Sequence, residues 1–373
     1  MSNNSRRDFI KKIGIGTAAL SVGNSVFGGT ASGFSAKSYR NIIGANDRIN
    51  IATIGVNSRG NSMGGTIAKQ KNTQIVTVCD VDSRAIPKGI NTIVKAGQTS
   101  PPKSEKDLRK VLEDKSVDAI YTATPDHWHA PLTIMACQAG KHVYVEKPLS
   151  HNPREGEIAV AAARKYNRIV QMGAQRRSAP TLTKGIQLLH EGVIGRVYMA
   201  KTWYTNTRKE TFLKPGNVPD WLDYDLWQGP APRVEYKDGL IHYNWHWFWN
   251  WGTGEALNNG THEVDVARWG LGVDFPTRVS SSGGRYHFND DWETPDTQVV
   301  TIDYPGNVTL LWENRSCNGR KVEGQERGII FYGEKGSLDT GDDAYKIYDL
   351  QGKLIQDVTP KSGGESLEGR STA

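Results

Sequence analysis

Between Ile49 and Met172 the chain alternates short apolar runs with helix-like stretches, and this alternation restricts the fold more than any other feature. The runs are Ile49 to Val56, Gln74 to Asp80, Val117 to Thr124, His142 to Val145 and Ile169 to Met172. Consecutive parallel strands need a long crossover, and a helix packed on the sheet usually makes it. The intervening stretches carry helix signals: Ser104 lies three residues before Asp107, Asn152 three before Glu155, and Gly140 directly follows Ala139. Such pairs satisfy the unbonded amides at a helix start, and glycine supplies the left-handed stop. Residues 48–172 therefore read as an α/β domain built on a doubly wound parallel sheet.

The pattern changes after Gly173. One helix, Thr181 to Glu191, precedes period-two segments at Val197 to Tyr204, Gln298 to Tyr304, Val308 to Trp312, Gly328 to Tyr332 and Tyr345 to Leu350. Pro305-Gly306-Asn307, Gly333 to Gly336 and Gln351-Gly352 punctuate them as turns. Residues 173–361 thus read as a second α/β domain with a large open, mostly antiparallel sheet. The segment 362–373 has too few apolar residues to pack by itself.

The first 36 residues are of another kind. Ser5-Arg6-Arg7-Asp8-Phe9-Ile10-Lys11-Lys12 leads into a weakly apolar run, Ile13 to Gly29, broken by glycine, serine and asparagine. That pattern reads as a twin-arginine export signal, too short and polar to span a membrane well, followed by a polar linker over residues 37–47. None of the three cysteines, Cys79, Cys137 and Cys317, lies near it, so no lipid-anchoring cysteine is available and a soluble, exported, periplasmic protein is expected. The formal charge of +6 includes +3 from Arg6, Arg7, Lys11 and Lys12 against Asp8, which leaves +3 for the remainder. So small an excess gives nucleic-acid binding little support. Cys79 and Cys137 fall in apolar segments where a small hydrophobe is expected, so a disulfide framework is not.

The first apolar run ends in Gly55-Val56-Asn57-Ser58-Arg59-Gly60, a strand entering a glycine turn, and Asp80 closes the next strand. This is a dinucleotide fingerprint with asparagine where the middle glycine usually lets backbone approach a pyrophosphate. Asparagine tolerates left-handed backbone, and the helix start still faces phosphate. Gly55, Asn57, Ser58, Arg59, Gly60 and Asp80 are thus the cofactor candidates. A carboxylate at Asp80 suits the ribose hydroxyls of NAD and repels the extra phosphate of NADP.

Lys147 stands at the end of the fourth run, between Glu146 and Pro148, where ligands of parallel sheets bind. A free lysine has a pKa near ~10.4, and burial beside a cationic ring lowers it toward a useful base. Trp245-His246-Trp247-Phe248-Trp249-Asn250-Trp251 places four tryptophans at alternate positions, one face of an extended segment. At least half of these indoles are expected in the core and the rest as a saccharide platform, with His246 and Trp247 as substrate candidates. His242, His246, His262 and Glu263 match no standard ligand spacing, so no metal is expected.

The stretch Ala119 to Ser150, with Thr124-Pro125, His129 and Glu146-Lys147-Pro148, resembles the Gfo/Idh/MocA family (glucose-fructose oxidoreductase, inositol dehydrogenase and rhizopine catabolism proteins). The resemblance continues through Gln175-Arg176, Gly192 to Val197, and Gly252 to Asp265, and covers most of residues 48–340. It implies a Rossmann domain followed by an α/β domain with an open antiparallel sheet, and NAD(P)-dependent oxidation or reduction of sugars and cyclitols. It further implies Lys147 and His262 as catalytic residues, Thr124, Pro125, His129, Glu146 and Lys147 at the cofactor, and Gln175, Arg176, Asn258 and Asp265 at the substrate. Where family dehydrogenases often carry an aspartate four residues before the histidine, this chain has Asn258, which cannot hold a proton for His262. His262 keeps a free pKa near ~6.5, suited to general acid or base work.

Export would place a nicotinamide enzyme where no free dinucleotide pool is maintained, so the cofactor would have to be retained and regenerated in place. A second substrate can do that, or the same sugar can, giving redox-neutral glycoside hydrolysis or elimination through a transient keto-sugar. A third expectation, which Asn258 favours and the pair Lys147 and His262 opposes, is a sugar- or dinucleotide-sensing protein without turnover. An open sheet face favours a homo-oligomer. The chain also stops short of the further helical segment that relatives usually add, as a fragment would.

Overall fold

The computed structural model describes residues 48–341 and 343–360, so the expected export signal, linker and polar tail lie outside the described residues. The first domain runs β1(Ile49–Ile54), α1(Arg59–Ala68), β2(Thr73–Cys79), α2(Ala85–Lys95), β3(Lys103–Glu105), α3(Leu108–Glu113), β4(Ala119–Thr122), α4(Asp126–Gln138), β5(His142–Glu146), α5(Pro153–Lys165) and β6(Val170–Gly173). All six strands are parallel, in the order β3-β2-β1-β4-β5-β6. The order reverses between β1 and β4, which opens a crevice at the carboxyl ends of those strands. Helices cover both faces, so Ala52, Ile54, Ile75, Val78, Ile120, Val143 and Val145 are all buried. This is why the strands read as nearly unbroken apolar runs; each such valine or isoleucine side chain contributes about 1.5–3 kcal/mol.

Two start signals resolve differently. Asn152 caps α5 by accepting from the Glu155 amide at 3.0 Å, and the Glu155 carboxylate accepts from the His151 amide at 3.0 Å. Ser104 caps nothing: residues 103–105 form the edge strand β3, and Asp107 caps α3 by accepting from the Arg109 amide at 2.9 Å. A three-residue polar strand carries no period by which sequence could reveal it.

The second domain comprises α6(Pro180–His190), β7(Val197–Thr205), β8(Lys214–Pro215), α7(Tyr224–Gln228), β9(Lys237–Asp238), α8(Gly254–Asn258), α9(Gly260–Leu271), β10(Arg278–Gly284), β11(Thr297–Tyr304), β12(Val308–Arg315), β13(Arg327–Gly333), β14(Gly336–Thr340), β15(Tyr345–Tyr348) and β16(Leu354–Val358). Eight strands form one sheet, β10-β11-β12-β7-β13-β14-β15-β16, in which only β7 and β12 pair in parallel. Helices α6 and α9 pack on one face through Leu182, Ile186, Leu189, Val266 and Ala267 against Leu310, Phe331 and Leu338. Elsewhere on the sheet Tyr198, Val279, Val299 and Ile355 are exposed.

Between β7 and α8, residues 206–252 leave this sheet and dock on the first domain. The Asp223 amide donates to Val81 O at 3.0 Å and the Ser83 amide to Trp221 O at 2.9 Å, while the Arg84 guanidinium lies 3.4 Å above the Trp221 ring. The strap has its own core, built on Trp227, Trp245, Trp247, Phe248 and Trp251, joined by Trp292 from the connection between β10 and β11. The tryptophan run is therefore not an extended platform. Asn244–Trp247 is a turn of 3-10 helix; Trp245, Trp247 and Trp251 are buried, and Trp249 alone of the four is exposed.

Candidate functional site

A cavity of about 430 Å³ occupies the crevice, and both domains line it. At one end the chain turns from β1 into α1. Gly55 has φ +77°, and a Cβ there would sit 2.9 Å from the Ala123 carbonyl; one on Gly60 would overlap the Gly55 carbonyl. Only glycine permits this closeness, which brings the start of α1 down onto the sheet. No side chain caps that helix and its first turn has no acidic residue, so its amides are left for an anion. Asn57 and Ser58 are exposed on the cavity wall. Asn57 is not among the residues with positive φ, so the asparagine serves without left-handed backbone.

Asp80, at the end of β2, accepts from the Val56 amide at 2.6 Å and the Asp82 amide at 2.9 Å, one on each oxygen. Those bonds fix the carboxylate at the cavity wall with lone pairs to spare for hydroxyl donors. His242 of the strap meets Asp82 at 2.8 Å and also lines the cavity.

At the other end stand Lys147 and His262. Lys147 does not pair with Glu146: Arg59 Nε and Tyr121 Oη both donate to that carboxylate, each at 3.0 Å. The Lys147 amine donates instead to Asn258 O at 2.6 Å and Asn258 Oδ1 at 3.2 Å. Burial lowers the lysine's pKa from its ordinary value, against the pull of Asp126, Glu146 and Glu255. Burial, reinforced by Lys147, Arg327, Arg176 and Arg59, holds His262 well below the usual imidazole range, so its ring is neutral at neutral pH. His246 is likewise held down to about 3 by burial, and its Nδ1–H donates to Tyr243 O at 2.6 Å.

Of the expected site residues, Gly55, Asn57, Ser58, Arg59, Asp80, Thr124, Pro125, His129, Glu146, Lys147, Gln175, His246 and His262 line this one cavity. Gly60 packs beneath the turn. Asn258 lies behind Lys147 and grips it. Like Asn258, three further substrate candidates do not line the cavity. Trp247 is buried with its ring stacked 4.1 Å from Trp292. Arg176 is spent on the buried Glu263 carboxylate at 2.6 Å, which needs a counter-charge. Asp265 pairs with Arg177 at 2.8 Å. Sequence reasoning missed Arg327, Asn259 and Tyr243, which do line it. Arg327 opens β13, reaches Asn259 Oδ1 at 2.9 Å and Glu263 at 2.9 Å, and carries no local motif.

The residues fit a dinucleotide. Besides the glycine cradle, two buried acceptors in the wall, Gln175 Oε1 and His129 Nε2, have no hydrogen-bond partner. His129 Nδ1–H donates to Pro148 O at 2.6 Å, which leaves Nε2 as a lone pair for a ligand donor. Among the described residues no group of three His, Cys, Asp or Glu side chains gathers as a metal site, and no helix is long and apolar enough to cross a membrane.

Comparison with known proteins agrees with this geometry. Residues 49–174 match the model described as "Oxidoreductase family, NAD-binding Rossmann fold", and residues 184–339 match the "GFO/IDH/MocA C-terminal domain". A "Glycosyl hydrolase family 109 protein" of Saccharopolyspora erythraea is 28% identical over 243 residues, 60% of this chain and 52% of that protein. The chain spans about half the length of the family 109 proteins it matches. Among solved structures, the WlbA dehydrogenase from Chromobacterium violaceum in complex with NADH and UDP-GlcNAcA superposes with a TM-score of 0.63 at 20% identity, over 85% of this chain and 80% of that one. Levoglucosan dehydrogenase in complex with NADH superposes with a TM-score of 0.64 at 17% identity, over 84% and 80%. With both domain models matched in order along the chain, the protein belongs to the GFO/IDH/MocA oxidoreductase family and carries its NAD-binding Rossmann domain.

Proposed function

We propose that this is an exported NAD-dependent oxidoreductase acting on a hydroxyl or carbonyl group of a sugar or polyol. One observation carries the reading: Lys147 and His262, from different domains, line the same cavity as the glycine turn and Asp80. Gly55, Gly60 and the open start of α1 would hold the pyrophosphate, and Asp80 a ribose. When bound, the nicotinamide supplies two-electron oxidation or reduction of a carbon. The protein's part is proton management. A lysine whose pKa burial lowers can take a proton from a hydroxyl or return one to a carbonyl oxygen, and the neutral His262 can accept one. Gln175, His246 and Asn259 offer oxygen and nitrogen acceptors to further hydroxyls. The twin-arginine pattern supports export, and an open sheet face with exposed apolar side chains supports assembly of like copies.

The test is to purify the exported protein, titrate NADH by its fluorescence, and follow the near-ultraviolet NADH band while sugars and polyols are added. Lys147→Ala and His262→Ala should each lower turnover by about 10²–10⁴-fold while NADH still binds. Normal turnover in Lys147→Ala would refute the assignment of roles. The named family 109 relatives favour a second reading, glycoside cleavage without net redox change. Its signature is release of a glycosidic product with no lasting change in the NADH band.

A further inference from the structure

We propose that Asn258 is the positioning residue that aims Lys147, and that its neutrality sets the protonation state in which the amine meets substrate. A neutral amine has two N–H bonds and one lone pair. Asn258 presents two acceptors to the Lys147 nitrogen, its backbone carbonyl at 2.6 Å and its side-chain oxygen at 3.2 Å. If both N–H bonds are taken there, the lone pair is the only feature left to face a bound hydroxyl. In the reverse direction the protonated amine keeps two of its N–H bonds on Asn258 and offers the third to a carbonyl oxygen. The proton moves between substrate oxygen and lysine nitrogen in both directions, and no other group need hold it.

The surroundings make the charge at position 258 matter. Asp126 from the start of α4, Glu146 of β5 and Glu255 of α8 favour the charged amine. Arg327 of β13 opposes it, with burial the largest influence, and His246 of the strap and His262 of α9, both held neutral beside the lysine, add no charge. A carboxylate at 258 would add a fourth anion, this one within hydrogen-bond reach, and keep the lysine protonated. Asparagine gives the same two oxygens without that charge.

The inference rests on the proposed role of Lys147 as proton acceptor, and its test needs no substrate. The pH dependence of Lys147 acetylation by acetic anhydride, read by peptide mass spectrometry, reports the amine's titration in the intact protein. Asn258→Asp should move that titration upward by about one pH unit or more, and Asn258→Leu should not raise it. Both variants are first checked by NADH fluorescence titration, which should match the parent. An Asn258→Asp titration coinciding with the parent's overturns the inference. Failure of every form to bind NADH sinks the proposed function instead and leaves the lysine titration to decide this one. Once a substrate is found, the acid limb of the oxidation profile should move upward in Asn258→Asp; a merely structural role would lower turnover at every pH and leave the limb in place.

Discussion

His127 shows how one side chain can dictate the response of the fold to acid. It is buried at the start of α4, its Nε2–H donates to Trp227 O at 3.0 Å, and burial lowers its pKa to about 4. The folded pKa lies below the unfolded one, so between the two values the unfolded chain binds more protons. Stability from this group is complete above the unfolded value near ~6.5 and is lost as pH falls toward 4. From pH 7 to pH 5 the loss is about 2 kcal/mol. Urea unfolding at both pH values should show it, and His127→Gln, which keeps a donor for the Trp227 carbonyl, should shrink the difference. An undiminished difference in that variant would place the acid sensitivity elsewhere, with His246 the next candidate. Gly55 makes the complementary prediction for ligand rather than pH. Alanine there must adopt φ +77° with its Cβ 2.9 Å from the Ala123 carbonyl, so the turn must open. A left-handed alanine costs about 1–2 kcal/mol before any clash, and NADH affinity in Gly55→Ala should fall about tenfold or more, as fluorescence titration would read.

Elements differ in how plainly the sequence announces them, and the reason is burial. Strands β1, β2, β4 and β5 are covered on both faces, so their apolar runs are continuous and their parallel arrangement follows. The strand β10 is Arg-Val-Ser-Ser-Ser-Gly-Gly and mostly exposed, so neither period nor propensity marks it. The cap at Asn152 was legible because it is local; its loss in Asn152→Ala should cost about 1 kcal/mol, measurable as a lowered urea midpoint. The tryptophan run signals core, but not its conformation, because seven residues of alternating pattern do not distinguish a strand from a turn of 3-10 helix inside an aromatic core. For the candidate site the division is similar. Lys147, Asp80, Gly55 and His262 sit in local motifs, and all four line the one cavity. Arg327 reaches the cavity from a distant strand, and Asn258 grips Lys147 partly through its main-chain carbonyl, which no side-chain pattern encodes.

At the scale of the whole molecule the strap of residues 206–252 decides how ligand binding is felt. It rises from the second domain, yet its main chain pairs with the first just past β2, through Asp223 to Val81 and Ser83 to Trp221. On its inner side Trp227, His242, Tyr243, Trp245 and His246 line the cavity whose floor belongs to the Rossmann sheet. A dinucleotide that fills this cavity would touch both domains, so opening the strap would break ligand contacts as well as those two bridges. Binding to the folded form alone stabilises it by about 2.7 kcal/mol at a hundredfold excess over Kd, and the gain should be shared by every element that opening would disturb. Hydrogen exchange tests this directly. With saturating NADH, the amides of Ser83 and Asp223 should slow together with those of β1 and β2, while the amides of β16, at the far edge of the second sheet, should not change. Protection confined to the first domain would show that the strap opens without regard to the cofactor, and that the second domain forms a wall of the cavity only in its unliganded state.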